Sequence, residues 1–169
     1  MYRRILVGVD GSAASLRGLT EAIGLAKTTG ATVSIVHVVN ELIADAAFAP
    51  SVYYDALIAS LREAGSRVLE HAEVLLRQAQ VPFESRLVEA IGGRVADALV
   101  REAAASSADL IVMGTHGRHG IARLVMGSDA ELVLRSAPVP VLMIPFRGNA
   151  AALRGSPHTS AANRDGHCN

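Results

Sequence analysis

Asp109-Leu110-Ile111-Val112-Met113-Gly114-Thr115-His116-Gly117, with nine residues separating Gly117 from Gly127-Ser128, is the stretch that decides the reading of this chain. The apolar run reads as a strand buried on both faces, the kind found inside parallel sheets. Glycines directly after such a strand fall where open α/β sheets present their ligands. Glycine permits positive φ and lets a ligand approach the main chain, while Ser128 is placed to open the next helix with its hydroxyl. Together these residues predict a cradle for phosphate. Three glycines and a Ser/Thr at fixed offsets arise by chance in roughly one chain per hundred of this length. The position between a buried strand and a helix start is what gives the pattern its specificity.

Working outward, the rest of the chain repeats the same alternation. Ile5-Leu6-Val7-Gly8-Val9 is a β-branched run ended by Asp10-Gly11-Ser12, after which Leu16, Leu19, Ile23 and Ala26 recur at helical spacing. A second strand is expected over Thr32 to Val39 after the break at Thr29-Gly30, and a loop from Glu41 to Pro50. Tyr54 to Gln80 is a long helical pattern with Leu57, Leu61, Ala64, Val68, Ala72 and Leu75 as its apolar stripe. Phe83 to Glu89 is polar enough for an edge strand. Gly92-Gly93 precedes a helix over Val95 to Ala105. The glycine loop is followed by a helix from about Asp129 to Ser136, and Val139 to Phe146 forms the last strand.

Five strands alternating with four helices predict one α/β domain over residues 1–146: a doubly wound, Rossmann-like parallel sheet of order 3-2-1-4-5 with helices on both faces. The first and fourth strands are then central, and Asp10 and the glycine loop face one crevice. Residues 147–169 lack large apolar side chains and are expected to be a disordered tail.

Composition narrows the function classes. The chain has 169 residues with 16 basic and 16 acidic side chains, and no basic block of the kind that binds nucleic acid. Neither a signal peptide nor a membrane span is expected. A lone cysteine, Cys168, excludes an intrachain disulfide and fits a reducing cytoplasm. His158, His167 and Cys168 lack metal-site spacing and a preorganising scaffold, so no metal site is expected there.

Gly114, Gly117, Gly127 and Ser128, with Val7-Gly8-Val9-Asp10-Gly11-Ser12 and His37-Val38, resemble the nucleotide-binding branch of the universal stress protein family over residues 2–146. The resemblance implies bound ATP, with Mg2+ or Mn2+ accompanying it. It places Gly8, Asp10 and Val38 around the adenosine and Met113 and Gly114 beside the ribose. Gly117, Gly127, Ser128 and the backbone of Asp129 would hold the phosphates. Apart from the resemblance, His116 and Arg118 of the basic loop are expected beside them. His119 and Arg123 lie in the same basic loop.

The branch commonly has an apolar residue where this chain has Asp129. An inward carboxylate would repel phosphate by about 1 kcal/mol or more unless a divalent cation bridged it. An outward one complements the helix dipole, and that orientation is expected because Asp is ordinary in a first helical turn. His37 is expected to be a hydrogen-bonded core residue, and Met113 and Met126 to be wall and packing residues.

No Lys-Ser/Thr phosphate-loop ending and no dinucleotide fingerprint occur. The leading reading is therefore a nucleotide-dependent regulatory module of the stress response with little or no turnover, acting through occupancy. The alternatives are a nucleotide-hydrolysing or nucleotide-transferring enzyme using His116 or Asp129 with Mg2+, and a structural dimer with an empty pocket. The apolar last strand, Val139 to Ile144, predicts a homodimer paired along a sheet edge, an assembly the resemblance also implies.

Overall fold

The computed structural model describes residues 1–40, 51–90, 93–115 and 126–145. Five strands and four helices alternate: β1 (Arg4–Gly8), α1 (Ala13–Thr29), β2 (Thr32–Asn40), α2 (Ser51–Gln78), β3 (Phe83–Ala90), α3 (Val95–Ala105), β4 (Leu110–Gly114), α4 (Ser128–Ser136) and β5 (Val141–Ile144). The sheet is parallel throughout, in the expected order β3-β2-β1-β4-β5. β1 lies at its centre, with Val7 registered against Ile35 of β2 on one side and Val112 of β4 on the other.

Continuous apolar runs suit this position because each central strand is covered twice. Ile5, Val7, Val33, Ile35 and Val112 pack with Leu19 and Ala22 of α1 and with Leu69 and Leu76 of α2. Leu6, Val36, Ile111 and Met113 point the other way, against Leu99 and Ala103 of α3 and Val133 of α4. One strand thus feeds two cores, as the period-two geometry of a strand requires. At the opposite end from the helix starts, both carboxylate oxygens of Asp109 accept main-chain N–H groups, from Arg3 at 2.8 Å and Arg4 at 3.2 Å.

Several local expectations change. The buried line of α2 runs through Ile58, Gly65, Leu69, Ala72 and Leu76, and Leu57 is exposed. Leu61, Ala64, Val68 and Leu75 flank that line half-buried. Two adjacent apolar stripes exist on this helix, and Gly65 decides between them. A Cβ there would stand 2.6 Å from His37 Cδ2 and 2.8 Å from Leu87 Cδ1, so the helix is rotated to bring its glycine against the sheet. Met126, expected to pack, is 38% exposed. β5 is shorter than the expected Val139–Phe146, since Pro138 and Pro140 carry no N–H to join a ladder. The expected loop at 41–50, Gly92, Phe146 and the tail at 147–169 lie outside the described residues.

Candidate functional site

The chain winds away from β1 in two directions, so the C-terminal ends of β1 and β4 part and leave a crevice between them. A cavity of about 500 Å3 opens there, within the range of small-molecule and cofactor sites. Gly8, Asp10, Val38, Met113, Gly114, Gly127, Ser128 and Asp129, all singled out from the sequence, line it. His116, Gly117 and Arg118, with His119 and Arg123, lie outside the described residues.

The β1–α1 turn forms one wall. Gly11 has φ +79°, a conformation that strains any residue with a Cβ. Asp10 Oδ1 accepts the Ser12 N–H at 2.9 Å, closing an Asx turn, and Ser12 Oγ caps α1 by accepting the Ser15 N–H at 3.2 Å. His37 anchors the turn from β2, with Nδ1 2.7 Å from the Val9 carbonyl oxygen. A carbonyl accepts only, so Nδ1 carries the proton. His37 is buried at 7% exposure, the hydrogen-bonded core residue expected of it, and it also reaches the cavity.

The opposite wall is the start of α4. Gly127 is its N-cap and bonds nothing through a side chain, while Ser128 is already the first helical residue. This corrects the expectation that Ser128 caps the helix. Gly127 itself has φ −64° and ψ 149°, an extended conformation that does not call on the positive φ glycine permits. What it contributes is an uncapped end. The first intrahelical bond runs from the Glu131 N–H to the Gly127 oxygen, so the N–H groups of Ser128, Asp129 and Ala130 have no partner within the helix. The Gly127 N–H donates to the Thr115 oxygen at 2.9 Å, which holds this helix start beside the end of β4. Open N–H groups and the positive end of the helix dipole favour an anion.

Gly8 completes the floor. A Cβ there would meet Leu99 at 3.5 Å and Met113 at 4.0 Å, ordinary contact distances, so crowding by the protein does not require glycine. Glycine nonetheless costs a strand about 0.5–1 kcal/mol relative to alanine. The absent Cβ leaves room on the cavity side.

Asp129 does not turn outward as expected. It is half-buried on the cavity wall, with Oδ1 3.4 Å from the Ala96 N–H in the first turn of α3. The sequence reading missed the contributions of α2 and α3, from which Leu61, Val95 and Leu99 also line the cavity. Their signal was present only as amphipathic pattern, which marks a buried face without saying whether protein or ligand covers it.

Further from the cavity, Arg62 of α2 bonds Glu89 of β3 in a two-pronged pair at 2.7 and 2.9 Å. Those hydrogen bonds hold the Glu89 carboxyl below its ordinary range, against an opposing effect of desolvation.

A doubly wound parallel sheet with a crevice at its switch point defines the class of open α/β proteins, whose ligands lie outside the carboxyl ends of the strands. The family model described as the universal stress protein family matches residues 1–145, and the chain belongs to that family. It is 33% identical over 145 residues to a universal stress protein of Methanocaldococcus jannaschii, covering 85% of this chain and 82% of that one. A solved family member from Burkholderia pseudomallei is 38% identical with a TM-score of 0.66, over 86% of this chain and 97% of the other. A universal stress protein solved in complex with cAMP is 27% identical, with a TM-score of 0.62 over 85% and 97% of the chains. One from Archaeoglobus fulgidus in complex with dAMP is 26% identical, with a TM-score of 0.60 over 85% and 98%.

Proposed function

We propose that this protein is an adenine-nucleotide-binding regulatory module whose ligand is ATP with an accompanying Mg2+ or Mn2+, and whose output is a change of shape or partner affinity on occupancy. The observation that carries this reading is the start of α4, where the N–H groups of Ser128, Asp129 and Ala130 have no partner within the helix and the three residues line the cavity at the switch point. The family members solved with cAMP and dAMP support the adenine part of it. In this reading Gly8, Asp10 and Val38 surround the adenosine and Met113 and Gly114 lie beside the ribose. Gly127, Ser128 and the Asp129 backbone receive phosphate, with His116, Gly117 and Arg118 adjoining. The residues present fit such a ligand: a missing Cβ at Gly8, apolar walls from Val38 and Met113, and open N–H groups across the cavity.

Calorimetric titration with ATP, AMP and cAMP, with and without Mg2+, tests the proposal. Saturable binding to wild type that is lost in Gly127→Val supports it, and absence of binding by any of the three refutes it. Turnover above about 1 per second would move the reading to an enzyme. We also propose that two copies pair along the edge strand β5, where Val141, Leu142 and Met143 are half-buried in the single chain. Sedimentation of Val141→Lys checks this: a shift toward monomer is expected, and an unchanged dimer would refute the placement.

A further inference from the structure

Two helices start at the cavity without a side chain of their own to cap them. α3 follows Arg94 and α4 follows Gly127, and neither N-cap side chain bonds its helix. Asp129 spans the gap. It stands in the first turn of α4, and its Oδ1 lies 3.4 Å from the N–H of Ala96 in the first turn of α3. The carboxylate is therefore directed at one positive helix end while its own backbone N–H belongs to the other. It is half-buried, on the wall of the cavity, and within hydrogen-bond reach of a main-chain donor.

This placement has a consequence for any anion that approaches the start of α4. The N–H groups there attract it, while a fixed negative charge one residue beyond Ser128 repels it. Attraction to the helix end and repulsion from the carboxylate both grow with the charge the ligand carries, so the carboxylate offsets more of the attraction in absolute terms for a highly charged ligand than for a weakly charged one. Apolar neighbours such as Leu99 and Met113 reduce the screening that water would give.

We propose that Asp129 is a specificity-determining residue that sorts adenine nucleotides by charge, weakening binding with each added negative charge, so that a triphosphate is accepted better as its complex with a divalent cation than as the free anion. The inference rests on the nucleotide reading of the cavity. It gives Asp129 two simultaneous tasks: it serves the otherwise uncapped N–H of Ala96, and it sets the charge tolerance of the neighbouring helix start. Asparagine separates the two, because its amide oxygen still accepts from Ala96 but carries no charge.

Calorimetric titration of wild type and Asp129→Asn with adenosine, AMP and ATP in EDTA, and with ATP in excess Mg2+, tests this. The affinity gain in the variant is expected to rise with ligand charge: smallest for adenosine, about threefold for AMP and about tenfold for metal-free ATP, with Mg2+ shrinking the last. Asp129→Ala should show the same gradient with a lower unfolding midpoint, since it removes the acceptor for Ala96 as well. An equal change for all three ligands, or no gain for metal-free ATP, overturns the inference. If wild type binds adenosine and its phosphates and the gradient is missing, only this inference fails. If wild type binds none of them, the nucleotide reading fails and takes the inference with it.

Discussion

The sequence Gly-Ser opens two helices in this protein, at Gly11-Ser12 before α1 and at Gly127-Ser128 before α4, and the two starts are built in opposite ways. At α1 the chain's own side chains close the turn and cap the helix: Asp10 accepts from Ser12, Ser12 caps Ser15, and His37 holds the Val9 carbonyl. At α4 the frame has moved by one residue. Glycine takes the cap position, serine enters the helix, and among the described residues no side chain caps the end. A helix start that caps itself is a structural joint, and one left open beside a cavity is available to a ligand. Asp10 and Ser15 at the first start and Gly127 to Ala130 at the second line the same crevice.

The largest change in stability should come from breaking the closed start through its support. Gly65→Ala drives a methyl group to 2.6 Å from the His37 ring, and we expect a loss of about 2 kcal/mol, even though alanine is the better helix former. Urea unfolding measures it, and a stabilised variant would show that His37 is not held as described. Ser12→Ala should cost about 1 kcal/mol by removing a working cap. The matching change Ser128→Ala should cost little in the ligand-free protein, because that hydroxyl caps nothing. Equal losses from the two serines would erase the contrast between the starts.

Smaller still is Gly8→Ala. The added methyl meets Leu99 and Met113 at ordinary distance, so stability should rise by about 0.5 kcal/mol while nucleotide affinity falls. Retained affinity would mean that no ligand approaches Gly8. The smallest effect lies away from both starts, at Arg62 and Glu89. The Glu89 pKa is held below 4.5, so the contribution of this pair is fully present above that pH and is lost as pH falls through the lower folded value. Arg62→Ala should flatten the acid limb of stability without touching the pH 7 ligand response, and an unchanged acid limb would show the pair to be inert.

Strand order, the central place of β1 and β4, and the convergence of Asp10 with Gly114 and Gly127 were legible because buried parallel strands carry unbroken apolar runs and the connections allow few topologies. The rotation of α2 was not legible, because two adjacent stripes satisfy the same period and the choice falls to Gly65 packing against His37 and Leu87. Nor was the frame of the second Gly-Ser. Either residue can occupy a cap, and the bond from Gly127 to Thr115 that fixes the frame depends on tertiary placement. Asp129 was misread for a related reason: its partner Ala96 belongs to another helix, and local preference for acidic residues in a first turn says nothing of a neighbouring helix that lacks a cap.

The most direct test of the open start is thermal unfolding of wild type, Gly127→Val and Ser12→Ala, each with and without Mg-ATP. Ligand at a hundredfold excess over Kd stabilises a native-state binder by about 2.7 kcal/mol, enough to raise the midpoint by several degrees. The account predicts that rise in wild type, the same rise from a lower baseline in Ser12→Ala, and none in Gly127→Val. No rise in wild type, or an undiminished rise in Gly127→Val, would contradict it.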